Sequence, residues 1–209
     1  MTPPGLTDAY ALNGPEDCRA LYAGWAGEYD AGFAASMDYR LPAEVAAAFL
    51  RARPPEGPVL DAGAGTGLLS AALRGLGHGG VIDALDLSTA MLDKARAKAL
   101  YRALVEADLT RPLPAIGPYA GIVSSGTFTH GHVGPSALAN LLTLAAPGAL
   151  VALSVNTGIW DAQDWPGALA SLPVHALDLA DVAIYGQAAS ARDPAHAADR
   201  ARIVTFRRA

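Results

Sequence analysis

Lysine is almost missing from this chain: among 209 residues only Lys94 and Lys98 are lysines, and the arginines are scattered. The formal net charge is −5, and Arg207 and Arg208 are too few to form a basic face of the kind that grips a nucleic-acid backbone. Nucleic acid is therefore not an expected partner. Cysteine is scarcer still: Cys18 alone excludes an internal disulfide framework and fits a reducing compartment. With no cysteine–histidine cluster, no metal is expected. No apolar run reaches the roughly 18 residues of a membrane span, because residues 138–155 are interrupted by Asn140, Pro147 and Gly148. Met1-Thr2-Pro3-Pro4-Gly5 lacks the charged and apolar segments of a signal peptide. These absences point to a cytoplasmic protein with no membrane partner, monomeric or homodimeric.

What remains is an apolar chain, 52% hydrophobic and 17% charged, so it folds rather than stays disordered. Residues 1–12 read as a flexible tail and residues 13–55 as an N-terminal helical lid. Asn13-Gly14-Pro15-Glu16-Asp17 is a helix start, with Asn13 as cap. Trp25, Tyr29 and Phe33 then follow at i, i+4, i+8 spacing on one helical face. A second helix is expected over residues 42–53. From Pro58 onward, short apolar runs alternate with helical ones. Strands are expected at 59–61, 81–85, 101–105, 120–124 and 150–155. Helices are expected at 68–76, 89–100, 136–145 and 160–171. Near-continuous apolar strands alternating with helices predict a doubly wound α/β sheet over residues 56–209. Two last strands, at 174–185 and 202–207, suit a closing antiparallel pair joined by a mobile loop.

The strongest local pattern is Val59-Leu60-Asp61-Ala62-Gly63-Ala64-Gly65-Thr66-Gly67-Leu68. A buried strand runs into alternating glycines and then a helix, so backbone can approach a ligand closely and present free N–H groups. A dinucleotide site spaces its glycines G-x-G-x-x-G. Here the spacing is G-x-G-x-G, with Asp61 just before it. That acid disfavours a pyrophosphate and suits an ammonium, so an aminoacyl nucleoside fits better than NAD. Asp86, at the tip of the second strand run, is placed to accept hydrogen bonds from both ribose hydroxyls, although it also suits a helix cap. Asp108, after the third, is placed for an adenine amine or for a solvated turn. Asp83 reads as an exposed acid or a strand-face acid, without a role.

These residues together resemble the class I S-adenosylmethionine-dependent methyltransferases from about Tyr22 to Val155. The resemblance rests on Leu60 to Gly67, on Asp86 with the helix from Ser88-Thr89-Ala90-Met91, and on Asp108. It implies a Rossmann-like seven-stranded sheet, mostly parallel with the last strand antiparallel, and S-adenosylmethionine as cofactor, released as S-adenosylhomocysteine. Trp25-Ala26-Gly27-Glu28-Tyr29-Asp30 looks like the entry segment of small-molecule methyltransferases. Ser125-Gly126-Thr127-Phe128-Thr129-His130-Gly131-His132 is similar to the Williams–Beuren-region methyltransferase-like group. The expected cofactor set is Asp61, Gly63, Ala64, Gly65, Thr66, Gly67, Asp86, Leu87, Met91, Asp108, Leu109, Ser124 and Gly126, with Trp25 and Tyr29 as an aromatic lid over the sulfonium.

Methyl transfer from a sulfonium is an in-line displacement, so the protein mainly positions the acceptor and excludes water. His130 and His132 lie after the fourth strand and are the candidate bases, each with a structural alternative. Tyr22 and Tyr39 are expected to pack the lid, and Trp160 and Trp165 to anchor a helix. The Asn/Asp-Pro-Pro-aromatic motif that accompanies planar-amine methylation on nucleic acids and glutamine is absent, so a small organic acceptor is expected. Two alternatives stand beside this: a non-catalytic module that binds S-adenosylmethionine or S-adenosylhomocysteine, and a NAD(P)-linked oxidoreductase.

Overall fold

The structure, a computed structural model, describes residues 6–12 and 14–209. Seven strands make one sheet: β1 (Val59–Ala62), β2 (Ile82–Asp86), β3 (Leu104–Glu106), β4 (Tyr119–Phe128), β5 (Ala145–Asn156), β6 (Val174–Ala183) and β7 (Arg200–Arg208). Their order is β3-β2-β1-β4-β5-β7-β6. Pairs from β3 through β5 are parallel, and β7 runs antiparallel to both β5 and β6. The expected Rossmann-like, mostly parallel sheet with an antiparallel last strand is therefore present. The order reverses between β1 and β4, and the chains leaving their carboxyl ends diverge to leave a crevice there.

The helices are α1 (Leu6–Tyr10), α2 (Pro15–Trp25), α3 (Leu41–Arg51), α4 (Leu68–Gly75), α5 (Thr89–Ala97), α6 (Ala137–Leu144), α7 (Thr157–Trp160), α8 (Trp165–Ser171) and α9 (Ala189–Arg192). None is long and apolar enough to cross a membrane. Strand pleat sorts the core into two layers. Val59 and Val123 pack with Val45 and Phe49 of α3 and Leu69 and Leu73 of α4. Their neighbours Leu60 and Ile122 pack on the other face with Leu141 of α6 and Trp165 and Leu169 of α8. Gly121 is what lets α3 sit close, since a Cβ there would meet the Phe49 ring at 2.5 Å.

Several local expectations change. The presumed tail forms α1, whose Leu6 and Ala9 are buried; Leu6, Ala9 and Tyr10 share a helical face and pin it down. The cap assigned to Asn13 lies outside the described residues. After α2 the chain does not continue as an α-helix: Tyr29–Ala34 is a π-helical turn, with Ala35 N–H donating to the Asp30 carbonyl five residues back. Gly24, Gly27 and Gly32 weaken α-helix here, while the aromatic face survives, with Trp25–Tyr29 and Trp25–Phe33 centroids 5.3 and 4.8 Å apart. The helix expected over 160–171 is split, because Asp164 takes a left-handed conformation and its carboxylate caps the Gly167 N–H of α8. Trp165 is fully buried and stacks on Trp160, so these tryptophans do anchor helices. The loop thought mobile carries α9, with Ala189 buried and Gly186 N–H bonded to the Asp38 carbonyl.

Asp83 corrects another expectation: it is 2% exposed, not solvated. Burial opposes its charge, but hydrogen bonds from Arg102 and Tyr119 and the Arg102 cation hold its carboxyl below the usual range. It ties β2 to the segments entering β3 and β4, a structural use of a buried charge that is paired.

Candidate active site

The glycine loop is shaped by what surrounds it. Gly63, Gly65 and Gly67 all have positive φ. A Cβ on Gly63 would lie 2.1 Å from Thr127 Oγ1, and one on Gly67 would press on the Tyr101 ring. Those two glycines let β4 and the segment before β3 close on the loop. Gly65 differs: a Cβ there would meet nothing within 4 Å. Its open side faces a cleft of about 970 Å³, mouth included, at the carboxyl ends of β1, β2 and β4.

Asp86 closes β2 at this cleft. Its Oδ2 accepts the Gly65 N–H at 2.7 Å and its Oδ1 the Ser88 N–H at 2.8 Å. Burial raises its carboxyl pKa, and these amide bonds oppose the rise. Each carboxylate oxygen has room for a further donor, so the same acid can fix the loop and face a ligand. The helix-capping duty that competed for Asp86 belongs to Ser88, whose Oγ accepts the Met91 N–H. Around the rest of the cleft lie Ala64, Thr66, Leu87, Met91, Asp108 and Leu109. Asp108 Oδ1 accepts both the N–H and the hydroxyl of Thr110, and Asn140 holds the Leu109 carbonyl.

Asp61 does not line the cleft. It is fully buried beneath the loop, where Ser70 Oγ and Tyr101 OH donate to its Oδ2 at 2.7 and 2.8 Å. Its Oδ1 is buried with no partner among the described residues, and burial pushes its carboxyl up to about 6 despite the Ser70 and Tyr101 bonds. Ser124 is also turned away: its hydroxyl donates to the Ala62 carbonyl at 2.7 Å and staples β4 to β1. Ser125, Gly126 and Thr127 face the cleft in its place, because β4 continues to Phe128 with an irregular register after Ser124.

A second, smaller chamber of about 480 Å³, open space at its mouth included, adjoins the first. Tyr22, Tyr29, Tyr39, Gly126 and His132 line both and so form the partition. Tyr22 and Tyr39 thus do more than pack the lid. A Cβ on Gly126 would lie 2.3 Å from the Tyr39 hydroxyl, so glycine keeps that partition thin. Trp25 is 3% exposed and belongs to the second chamber's wall, not to the first. Tyr10 and Tyr185 also reach it, from α1 and from just after β6; neither was anticipated.

The two histidines separate. His132 Nδ1 is 2.7 Å from the His130 carbonyl. A carbonyl only accepts, so Nδ1 carries the hydrogen and the neutral ring presents its Nε2 lone pair to the Tyr22 hydroxyl 2.9 Å away. Burial holds the His132 imidazole below the usual histidine range. His130 lines neither chamber. Its ring packs on Tyr10 at 4.9 Å, a Cβ on Gly158 would meet its edge, and its Nδ1 is buried without a partner among the described residues. The expectation that His130 could serve as a base facing the cleft is corrected by that placement: the ring is turned toward Tyr10 and Gly158 instead.

A three-residue link joins the π-helical turn to the glycine loop. Asp30, in the π-helical turn, accepts the Thr66 hydroxyl and pairs with Lys98 at 2.6 Å, and Lys98 also donates to the Thr66 carbonyl at 2.7 Å.

Comparisons with known proteins agree with this architecture. A family model described as a methyltransferase domain matches residues 33–202. The human methyltransferase-like protein 27 is 34% identical over 148 residues, which are 66% of this chain and 57% of that protein. Among solved structures, a magnesium protoporphyrin IX methyltransferase from Synechocystis, with bound S-adenosylmethionine, superposes with a TM-score of 0.64 at 18% identity, over 95% of this chain and 99% of that one. A TehB-like S-adenosylmethionine-dependent methyltransferase from Corynebacterium glutamicum gives 0.63 at 19% identity, over 91% and 99%. Sheet order, glycine loop and family match converge: this chain belongs to the class I S-adenosylmethionine-dependent methyltransferases.

Proposed function

We propose that this enzyme methylates a small organic molecule, with the donor in the larger cleft and the acceptor in the adjoining chamber. The observation that carries the reading is the open face of Gly65 beside Asp86, a backbone cradle with a carboxylate at its rim. Asp86 would hold the ribose hydroxyls on the oxygens it already uses for the loop. Asp108 and the Leu109 backbone would meet the adenine, with Leu87 and Met91 against its faces. The loop from Gly63 to Gly67 and Gly126 would flank the methionine part, and Asp61, whose Oδ1 is unpaired below the loop, would supply negative charge for its ammonium. The bound donor supplies an already activated methyl on a positively charged sulfur. What the chain contributes is orientation and a dry partition, and Tyr29 and Tyr39 present aromatic surface there to a cation.

Calorimetric titration with S-adenosylmethionine, S-adenosylhomocysteine and NADH tests the donor. Micromolar binding of the first two and none of the third is expected. A labelled-methyl screen of a metabolite library tests the acceptor. Donor binding with no transfer to any molecule would make the protein a binding module instead.

A further inference from the structure

The second chamber is uncharged. Among the described residues no Asp, Glu, Lys or Arg lines it. Its walls are the rings of Trp25, Phe33 and Phe128 with Leu6, Leu41 and Ile184, and its polar atoms are neutral: tyrosine hydroxyls, Thr129, Ser154 and Asn156. A carboxylate or phosphate entering it would lose its water with no cation to replace it. An alkyl ammonium would be held beside a donor that is itself cationic and would have to shed a proton before attacking. A neutral, flat, largely apolar molecule meets neither obstacle.

The partition meanwhile carries a proton acceptor. His132 is fixed in one tautomer by the His130 carbonyl, and its Nε2 is joined to the Tyr22 hydroxyl. Both residues face the donor cleft and the second chamber alike. No other imidazole lines either space among the described residues. Resting on the function proposed above, we infer that the acceptor is a neutral aromatic or otherwise flat apolar molecule bearing a hydroxyl, and that the Tyr22–His132 pair takes its proton.

The step balances as follows. The acceptor oxygen attacks the methyl carbon, the O–CH₃ bond forms, and the S–CH₃ bond breaks with its electron pair returning to sulfur. The acceptor's proton passes to Tyr22 Oη as the tyrosine's own proton passes to His132 Nε2. The products are a methyl ether, an uncharged thioether and an imidazolium that later releases its proton to water. One positive charge enters, on sulfur, and one leaves, as that proton.

The test uses the full chain with S-adenosylmethionine and a panel of acceptors: unactivated phenols, nitro-substituted phenols assayed at a pH where they are still neutral, aryl and alkyl amines, and carboxylic acids. Methylation of phenols above the amines and acids is expected. Tyr22→Phe and His132→Gln should each lower turnover on an unactivated phenol by about 100-fold or more, with donor affinity within a few-fold of the parent. The neutral nitrophenols, whose more acidic proton a weaker base such as water can take, should recover most of that loss in His132→Gln; a merely structural defect would depress both phenols equally. Unchanged turnover in both variants, loss without recovery on nitrophenols, transfer only to amines or acids, or no transfer to any acceptor while the donor binds would each overturn the inference. Failure of the parent protein to bind the donor would instead overturn the function on which it rests.

Discussion

The two chambers are neighbours built by different means. One wall of the larger is made of local backbone: Gly63, Gly65 and, at a strand tip, the Asp86 carboxylate that accepts the Gly65 N–H, with side chains from elsewhere completing the cleft. The smaller is made of side chains gathered from the whole chain, and Tyr10 reaches its nearest carboxylate, Asp199, across 189 residues of sequence. On the proposed function, the backbone wall fixes what is common to a reaction, the donor, and the side-chain chamber, which can change one ring at a time, faces the molecule that varies.

The sharpest way to break that contrast is at Asp86. Asp86→Ala removes a charge-assisted anchor of Gly65 and two proposed ribose contacts. At about 1.5–3 kcal/mol for each bond to a charged group, calorimetry should show donor affinity falling at least 100-fold. An unchanged affinity would show that the rim carboxylate serves the loop alone.

Next comes a pair of glycine substitutions. Gly63→Ala drives a Cβ to 2.1 Å from Thr127 Oγ1 and should destabilise the fold by about 1–3 kcal/mol in a denaturant titration. Gly65→Ala meets no protein atom, so it should cost only the roughly 1 kcal/mol of a left-handed alanine while weakening the donor by tenfold or more. Equal effects on stability and donor binding in both variants would dissolve the distinction between a packing glycine and a cradle glycine.

Asp61 sharpens the comparison through pH. Its carboxyl sits at about 6 in the folded protein, against an ordinary 3.8. Between those values the folded chain keeps a proton that the unfolded chain has released. Stability without donor should therefore fall as pH rises from about 4 to 6, by on the order of 2–3 kcal/mol for such a shift, and Asp61→Asn should flatten that slope. A cationic donor above the loop favours the ionised acid, so binding near pH 6 should release a proton, read as a dependence of calorimetric heat on buffer ionisation. No release in the parent protein would remove Asp61 from the ammonium's surroundings.

The smallest expected effect is at Tyr185, which lines the second chamber but not the partition. Tyr185→Phe keeps its ring and loses one hydroxyl. We expect a several-fold change in acceptor KM, measured at saturating donor, and donor affinity unchanged within twofold. A change in donor affinity instead would mean that the chambers do not work separately.

The same division explains what could be read from the sequence. The alternation of strands and helices and the glycine loop follow from contiguous patterns: buried strands, alternating glycines and an acid at a strand end. Asp61 and Ser124 were recognisable as polar residues at the right strands, but which way each points depends on Ser70, Tyr101 and the Ala62 carbonyl, partners that no spacing announces. His130 and His132 are two residues apart, and that separation does not say which faces the partition and which turns toward Tyr10 and Gly158. The chamber wall from α1 left a faint trace, the helical spacing of Leu6, Ala9 and Tyr10, in a segment whose prolines and glycine read as tail.

One consequence follows from the three-way link of Asp30, Thr66 and Lys98. It couples the covering segment to the wall of the donor's berth through an ion pair that water can reach, since its two side chains are 26% and 39% exposed. Such a pair is worth at most about 1 kcal/mol and is screened by salt. A fastening so weak adds little to how tightly a ligand is held, yet it ties the π-helical turn to Thr66 in the cleft wall. On the proposed function, if that link must open before the spent thioether leaves and leaving limits turnover, turnover should rise across a series of increasing salt concentrations.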